Sequence, residues 1–481
     1  MSTHSFDLPT EPCQPRIRPR LWQQQLIALL RRRLDPSANQ AKDLLVHAGP
    51  GAGKTLGALL GFQAMQNQGG VKRFLVFCHR NTILNQWRKA AEQLGLNLQE
   101  WDPCQEEAQT LHQADGWVVT YQAAARQPDV LKAELENWAH DKLLAIADEA
   151  HHLGVDPDEP DGPAWGRTFL ALTKGSRLRL GLTGTPFRAD NLGFCAARRV
   201  TVEADGELVE QISPDLCVEP RELIAAGDVR PLEFRFQDGW VEHSREGQPD
   251  RDVSPLSSEQ RESWRARNLR RAIRLSDSSS IALQLLLRAR RQLEKVRAEH
   301  PEAAGLVIAR DIEHAAGITQ VLREEGDRVD LVHSQDKEAS KRLANFQTGQ
   351  ADWLVSIDMC AEGFDAPRIR VVAYLTTVVT RSRFLQGITR AVRISTARAS
   401  LEPIPRHPSH VFAPADPLLM SYARSWSLAK PYLIRSNKTM LEEEETTGSW
   451  RGPNLPLEAV NDGAGAVIRL RSLELPNFLQ Q

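Results

Sequence analysis

Two adjacent carboxylates, Asp148 and Glu149, follow a short apolar segment at residues 143–147. An apolar run of this length that ends in acidic residues is typical of a buried parallel strand rather than a helix. Such a strand would present both carboxylates at the carboxyl edge of a sheet, where α/β proteins bind ligands. One carboxylate can hold Mg²⁺ while its neighbour polarises a water molecule, which is the chemistry that hydrolyses a phosphoanhydride.

A glycine-rich turn lies between another short apolar segment, at residues 43–48, and a helical segment. Its glycines would let backbone N–H groups wrap around phosphate oxygens at the helix N-terminus, although Ala48 takes the first glycine position of the GxxxxGKT pattern. Lys54 would reach the β- and γ-phosphates, and the Thr55 hydroxyl would join Asp148 as a ligand of Mg²⁺. The residues predicted to bind ATP and Mg²⁺ here are Gly49, Pro50, Gly51, Ala52, Gly53, Lys54 and Thr55.

Further apolar segments begin at Arg73, Trp117 and Leu178 and alternate with helical segments. This alternation predicts a parallel, doubly wound α/β sheet. Arg80 and Thr120 fall where two of the predicted strands end. Polar side chains at such an edge either cap a helix or contact phosphate, and the pattern alone leaves both interpretations open.

Length, charge and cysteine content restrict the class of protein. A chain of 481 residues is too long for one core, so we expect two or three domains. The net charge of −2 means that any nucleic-acid site must be a local basic groove. The six cysteines form no CxxC pair, which fits a reducing cytosol better than a zinc ribbon or a disulfide framework. No signal peptide and no apolar run of about 18 residues is visible, so we expect a cytoplasmic protein without a membrane segment.

Taken in order, these segments resemble superfamily 2 helicases and translocases that carry the DEAH form of the Walker B box. They look nearest to the restriction-subunit-like (type III restriction Res-like) helicases. The matching segments are Gln23, Ala48–Thr55, Arg80, Thr120–Gln122, Asp148–His151, Leu182–Pro186, Ala361–Pro367 and Gln386–Arg393. The resemblance covers roughly residues 16–425 and implies an α/β fold with two tandem RecA-like P-loop domains, each a parallel sheet flanked by helices.

The resemblance also implies roles for individual residues. The residues implied in nucleotide binding are Gln23 (as an adenine reader), His151, Gly363 and Asp365, and those implied in catalysis are Glu149, Gln386, Arg390 and Arg393. Thr389 stands where the family has glycine, which makes the local helix geometry a point to check. Considered alone, Gln23 and His151 would also suit packed side chains, and Arg390 and Arg393 would suit surface ion pairs on one helix face.

Two domains would be needed because the implied catalytic groups come from both halves of the chain. The glycine-rich turn and both carboxylates belong to the first domain, whereas the implied arginine fingers belong to the second. Charge that develops on the γ-phosphate would be stabilised only when the cleft between the domains closes. Hydrolysis would then be coupled to relative domain motion.

A run of arginines around Trp264 forms a local concentration of positive charge. It suits a helix that follows a phosphate backbone, with an aromatic ring available for stacking, and it suits a solvated helix face equally well. The residues predicted to contact nucleic acid are Arg80, Thr120, Arg267, Arg270, Arg271 and Arg274.

The predicted organisation divides the chain into five parts. They are a flexible arm at 1–15, a first RecA-like domain at 16–200, a connecting segment at 201–280, a second RecA-like domain at 281–425 and a tail without an assigned role at 426–481.

We expect a nucleic-acid-dependent ATPase that moves on DNA rather than RNA, in DNA repair or in defence against foreign DNA. No nuclease module is visible, so such an activity would need a partner subunit. The alternative hypothesis is a regulatory ATPase subunit that acts as an ATP-dependent clamp or switch in a larger assembly without unwinding.

Overall fold

A computed structural model describes most of the chain. The described residues are 17–35, 42–102, 113–138, 142–153, 162–184, 198–204, 207–243, 252–258, 262–275, 280–357, 364–427, 433–434 and 470–472. The predicted arm, Gly363 and most of the predicted tail lie outside these ranges.

The first sheet contains seven strands, and every neighbouring pair in it is parallel. Its strands are β1 (Asp43–Ala48), β2 (Arg73–Cys78), β3 (Leu98–Glu100), β4 (Gly116–Thr120), β5 (Leu143–Ala147), β6 (Leu178–Thr183) and β9 (Leu216–Val218). Their spatial order is β3-β4-β2-β5-β6-β1-β9. Every position of β1, β4 and β5 is buried, as expected for parallel strands covered on both faces.

Helices cover both faces of this sheet. They are α1 (Leu21–Arg33), α2 (Lys54–Gln66), α3 (Asn81–Gln93), α4 (Tyr121–Arg126), α5 (Pro128–Asn137), α6 (Gly162–Leu172) and α7 (Pro220–Ala225). One apolar core joins α1, α2, α3 and α7 to the sheet, and a second joins α4, α5 and α6 to its other face.

The second sheet contains six strands, again with only parallel neighbours. Its strands are β10 (Leu232–Gln237), β13 (Ala304–Ala309), β14 (Val329–Val332), β15 (Trp353–Ser356), β16 (Ile369–Leu375) and β17 (Ser409–Pro414), in the spatial order β10-β17-β16-β13-β15-β14. Its helices are α8 (Glu262–Ala272), α9 (Ile281–Glu299), α10 (Ile312–Glu324), α11 (Ala339–Gln347), α12 (Arg381–Ile388), α13 (Thr396–Ala399) and α14 (Pro417–Ser427). The prediction of two parallel sheets flanked by helices is therefore confirmed.

Two small antiparallel sheets accompany the large ones. One pairs β7 (Arg198–Ala204) with β8 (Glu207–Ser213) and β8 with β18 (Leu433–Ile434). The other pairs β11 (Gly239–His243) with β12 (Asp252–Pro255) and with β19 (Leu470–Ser472). Among the described helices, none is both long and apolar enough to cross a membrane.

The segment 201–280, predicted as a connector, contributes one strand to each of the two large sheets. β9 pairs with β1 at the edge of the first sheet, and β10 pairs with β17 at the edge of the second. The alternating apolar residues Leu232, Phe234 and Phe236 lie on the strand β10. Its membership of the second sheet was not predicted, because the pairing partner lies far downstream in the chain.

Asp352, which precedes β15, is hydrogen-bonded to Arg297 on α9 and to Arg328 before β14. Its carboxylate accepts hydrogen bonds from the Arg297 guanidinium at 2.7 Å and from the Arg328 guanidinium at 2.8 Å. Its other oxygen accepts from the backbone N–H of Arg328 at 2.9 Å. Burial opposes the charge on this carboxyl, but the two arginines outweigh it and hold the pKa of Asp352 well below its ordinary value.

We predict that Asp352→Asn destabilises the second domain by about 1–3 kcal/mol at pH 7, because the charge-assisted hydrogen bonds from both arginines are weakened. A lowered pKa in the folded state contributes stability above the ordinary carboxyl pKa of about 3.9 and loses it as the pH falls below that value. Melting curves at pH 7 should therefore separate the variant from wild type, and the gap should shrink on acidification. Glu313→Gln, at an exposed carboxylate of α10, is the control. Equal melting temperatures of wild type and Asp352→Asn at pH 7 would contradict the prediction.

Candidate functional site

The glycine-rich turn lies between β1 and α2, and its backbone requires glycine at two positions. Gly51 and Gly53 have φ angles of 77° and 81°, in the left-handed region that favours glycine. A Cβ atom at Gly51 would also lie 3.0 Å from Val229 and 3.3 Å from Val392. The turn is thus in close contact with Val229 and, from the second half of the chain, with Val392.

Residues at the start of α1 hold three successive carbonyl groups of the turn. Arg20 Nη1 donates to the Gly51 carbonyl at 2.7 Å, and Trp22 Nε1 donates to the Ala52 carbonyl at 3.0 Å. Gln23 Nε2 donates to the Gly53 carbonyl at 3.0 Å, while its Oε1 accepts from Arg20 N. In this structure the Gln23 amide supports the turn, and its role as an adenine reader stays a prediction.

Lys54 and Glu149 form an ion pair in front of the turn. Lys54 Nζ lies 3.2 Å from Glu149 Oε1, and the Gly184 N–H donates to Glu149 Oε2 at 3.3 Å. Glu149 has a φ angle of 47°, a left-handed conformation that costs a non-glycine residue about 1–3 kcal/mol. Burial opposes ionisation, but Lys54 and the adjacent His151 and His152 outweigh it and lower the pKa of Glu149.

The surroundings of Asp148 have the opposite effect on its carboxyl group: they raise its pKa. Its Oδ2 accepts a hydrogen bond from Trp87 Nε1 at 2.7 Å, and its Oδ1 accepts from the Glu149 N–H at 3.0 Å. Burial and the negative charge of Glu149 nevertheless raise the pKa of Asp148. Two adjacent carboxyl groups with pKa values pushed apart are expected to take different chemical roles.

The donor atoms near Asp148 fit a magnesium ion. Among the described residues there is no cluster of three or more His, Cys, Asp or Glu side chains that could hold a metal. Mg²⁺ in phosphate sites usually takes only one or two protein oxygens and keeps phosphate and water as its other ligands. Thr55 and Asp148 both line the cleft and offer such oxygens. The raised pKa of Asp148 indicates a buried negative charge that a cation would stabilise.

Histidines surround the carboxylates. His151 Nδ1 lies 3.4 Å from Glu149 Oε2 and 3.1 Å from Thr183 Oγ1, and the His79 and His152 rings stack at 4.0 Å. Burial and the charge of Lys54 lower the pKa of His47 to about 4, which keeps that ring neutral at pH 7. These contacts of His151 belong to the first domain, and its implied role in nucleotide binding stays a prediction.

The predicted arginine fingers are attached to one loop of the second domain. Arg390 Nη1 donates to the Phe364 carbonyl at 2.6 Å, and Arg393 Nη1 donates to Asp365 Oδ1 at 2.7 Å. α12 ends before Thr389, whose hydroxyl donates to the Leu385 carbonyl at 2.6 Å, and the chain continues as a 3₁₀ turn. The departure from glycine at Thr389 therefore coincides with a change in helix type, while both arginines still reach the same loop.

A short segment between the sheets, residues 227–230, contacts both halves of the site. Asp228 forms an ion pair with Arg20 at 3.3 Å, and the Arg230 N–H donates to the Val392 carbonyl at 2.8 Å. These contacts place Arg393 Cγ 3.8 Å from the position that a Cβ at Gly51 would occupy. The sequence patterns did not predict a role for this segment, because it lies in the predicted connector and matches no motif.

A cleft of about 1060 Å³ lies between the two large sheets. The predicted site residues that line it are Gly49, Pro50, Gly51, Ala52, Gly53, Lys54, Thr55, Asp148, Glu149, Asp365, Gln386, Arg390 and Arg393. The turn, both carboxylates and both arginines thus face one space, which is large enough for a nucleotide.

The predicted nucleic-acid contacts do not share one environment. Thr120 Oγ1 caps α4 by accepting from the Ala123 N–H at 3.1 Å, and Arg80 is the half-buried residue before α3. On α8, Arg267 lies over the Trp264 ring at 6.0 Å.

The arginine run on α8 is not a uniformly solvated face. Arg271 is only 9% exposed, and Arg265 forms an ion pair with the fully buried Asp416 at 3.0 Å. Arg270 is half-buried and Arg274 is exposed. Part of the helix thus packs on the domain core, and the predicted contact of the buried Arg271 with a phosphate backbone stays a prediction.

Family models match both sheets of this fold. Residues 16–188 match the model described as "Type III restriction enzyme, res subunit", and residues 288–395 match the "Helicase conserved C-terminal domain". An uncharacterized protein of Mycobacterium tuberculosis (strain H37Rv) is 30% identical over 402 residues, which are 82% of this chain and 62% of the relative. The chain thus spans less than two thirds of the length of the curated relatives it matches.

Solved structures share the fold at low sequence identity. A fragment described as an HsdR subunit of a type I restriction enzyme from Vibrio vulnificus YJ016 has a TM-score of 0.52 at 18% identity, covering 88% of this chain and 68% of that one. S. cerevisiae Dbp5 bound to RNA and ADP BeF3 has a TM-score of 0.50 at 13% identity, covering 89% and 92%. With the two family models matched in order on the two sheets, this chain belongs to the superfamily 2 helicases and is related to the restriction-subunit-like members.

Proposed function

We propose that this protein is an ATP-dependent motor that moves on nucleic acid, with DNA favoured over RNA. The observation that carries the proposal is the shared cleft: the Lys54–Glu149 pair lies on one wall, and Arg390 and Arg393 lie on the other. Groups from two domains that face one nucleotide space can act together only in one relative arrangement of the domains. Hydrolysis and domain motion are coupled for that reason.

Each group in the cleft has a chemical task in this proposal. The turn and Lys54 bind the phosphates, while Thr55 and Asp148 hold Mg²⁺, which supplies charge neutralisation when bound. Glu149 orients the attacking water, and its lowered pKa keeps it ionised at neutral pH. Arg390 and Arg393 stabilise the charge that develops on the γ-phosphate.

The biological setting that fits this motor is DNA repair or defence against foreign DNA in the cytoplasm. The restriction-subunit relationship supports DNA as the track, and a partner subunit would supply any nuclease activity. ATPase assays with single-stranded DNA, duplex DNA and RNA test the track, and a directional strand-displacement assay tests movement. A motor needs stimulated turnover and directional movement. Absence of both would favour a regulatory ATPase that acts as a clamp or switch.

Glu149→Gln should retain ATP binding and lose about two to four orders of magnitude in turnover, because an amide cannot accept a proton or polarise water as a carboxylate does. Steady-state hydrolysis and calorimetric ATP titration measure the two properties separately. The control is Glu92→Gln, at an exposed carboxylate of α3. Turnover in Glu149→Gln equal to that of wild type would refute the assignment.

Lys54→Ala should instead weaken nucleotide binding itself, because the ammonium group that faces the phosphates is removed. We expect at least tenfold weaker ATP affinity, the loss typical of one charge-assisted hydrogen bond. Calorimetry with Lys132→Ala, an exposed lysine of α5, provides the matched comparison. Unchanged ATP affinity of Lys54→Ala would count against the phosphate role of this lysine.

Arg270→Gln combined with Arg274→Gln tests the basic helix without disturbing its buried side. If both arginines bind phosphate, the affinity for all nucleic-acid sequences should fall alike, because phosphates carry no sequence information. The log–log salt slope should flatten by about 0.7 to 0.9 for each arginine–phosphate interaction that the substitutions remove. Basal ATPase activity should survive, since neither residue lines the cleft.

The matched control replaces Arg31 and Arg32, exposed arginines at the end of α1, with Gln. Binding across a salt series is measured for both double variants. If the salt slope and the affinity are identical in wild type and the α8 variant, that helix face does not bind nucleic acid. Arg80 and Thr120 are then the remaining predicted contacts.

A further inference from the structure

A group of buried basic side chains surrounds one carboxylate at the second-domain end of the cleft. Glu402 accepts two hydrogen bonds from the Arg230 guanidinium, at 2.6 and 2.8 Å. The same carboxylate has His300 Nε2 at 3.2 Å, Arg370 Nη1 at 3.9 Å and Arg398 Nε at 3.9 Å. We name these five residues the arginine pocket. Four of them, all except Glu402, line the same cleft as the glycine-rich turn.

The arginine pocket carries more positive than negative buried charge. The side chains of Arg230, Arg370 and Glu402 are 2%, 4% and 4% exposed, so two buried guanidinium groups share one buried carboxylate. Arg398 has its own exposed partner, Glu302. A buried charge without a counter-charge is costly, and a bound anion would remove that cost.

Arg370 lines the cleft and has an unused donor in the arginine pocket. Its Nε donates to Ser409 Oγ at 3.1 Å, and its Nη2 donates to the Pro408 carbonyl at 3.0 Å, which fixes the plane of the guanidinium. Its Nη1 has no hydrogen-bond partner among the described residues, and the same holds for Arg230 Nε. Burial and the nearby Arg230 lower the pKa of Arg370 to about 10, so the group remains charged at pH 7.

We propose that the arginine pocket binds inorganic phosphate, and that this phosphate comes from ATP hydrolysed in the adjoining part of the cleft. Planar guanidinium groups match the oxygens of a phosphate ion, and its negative charge balances the excess arginine. The source of the phosphate rests on the proposed ATPase function, whereas binding of the ion to the pocket does not.

The pocket is also connected to the arginine fingers. Arg230 belongs to the pocket through its side chain and donates to the Val392 carbonyl through its backbone N–H at 2.8 Å. Arg398 follows Arg393 closely in the chain, on the short helix α13. Phosphate in the pocket therefore holds the segment that carries Arg390 and Arg393 in its arrangement after hydrolysis. Release of the phosphate permits the next cycle.

The binding test uses the full chain with Lys54→Ala, so that phosphate binding to the glycine-rich turn is weakened. Melting temperatures are measured against potassium phosphate and against potassium chloride at equal ionic strength, without nucleotide. We expect a saturable rise with phosphate only. Adding Arg370→Gln or Arg398→Gln should weaken phosphate affinity about tenfold or more, because a charge-assisted hydrogen bond is removed. Adding Arg288→Gln, at an exposed arginine of α9, should leave it unchanged.

Arg398→Gln keeps the test decisive if Arg370→Gln fails to fold, because Arg398 is partly exposed. Equal effects of phosphate and chloride, or equal phosphate affinity with Arg398→Gln and Arg288→Gln, would overturn the site. In the otherwise wild-type protein, added phosphate should slow ATP turnover, and Arg398→Gln should relieve that inhibition about tenfold. Phosphate binding without any ATPase activity would overturn the phosphate source and the proposed function but not the pocket.

Discussion

The relative placement of the two sheets depends on residues 227–230, which lie between α7 and β10. Asp228 is tied to Arg20, which itself holds the Gly51 carbonyl, and Arg230 is tied to Val392 beside the finger arginines. The Arg230 side chain is fixed by a buried ion pair with Glu402. Breaking such a pair by removing one partner costs about 3–5 kcal/mol, because the other charge stays buried. The geometry of the cleft is therefore set by a short, strongly anchored junction rather than by a flexible linker.

Within the first domain, the chemistry depends on a difference between two neighbouring carboxylates. Glu149 has Lys54 beside it and a lowered pKa, whereas Asp148 is buried beside Glu149 and has a raised pKa. The hydrogen bond from Trp87 favours the ionised form of Asp148 but does not outweigh burial. A cation placed next to Asp148 would reverse that balance, since opposite charge favours the ionised carboxylate. This difference supports the proposed roles, in which Glu149 orients water and Asp148 binds the metal.

The sequence predicted the parts of the site that are local in the chain. The glycine-rich turn, Lys54 and the two carboxylates follow from strand–turn patterns, and parallel strands bring such ends to one edge. The contacts of Trp87 with Asp148 and of Arg230 with Glu402 join residues 61 and 172 positions apart, and no local pattern encodes them. The three-residue strand β9 was missed because it is too short to show a period. The inward side of α8 was missed because the partner of Arg265, Asp416, lies 151 positions downstream.

The proximity of the glycine-rich turn to Arg393 restricts how the cleft can respond to ATP. Arg393 already packs near Gly51, so engagement of the finger requires an exchange of partners more than a long approach. Its present partner, Asp365, is 52% exposed, and an ion pair with so exposed a carboxylate contributes only about 0–1 kcal/mol. A γ-phosphate carries more charge in a less solvated place, where the same guanidinium interacts more strongly. Arg390, in contrast, is buried and bound to the neutral Phe364 carbonyl. In the proposed mechanism Arg393 is therefore the arginine that changes partners at the lower cost, because Arg390 would have to leave a buried hydrogen bond.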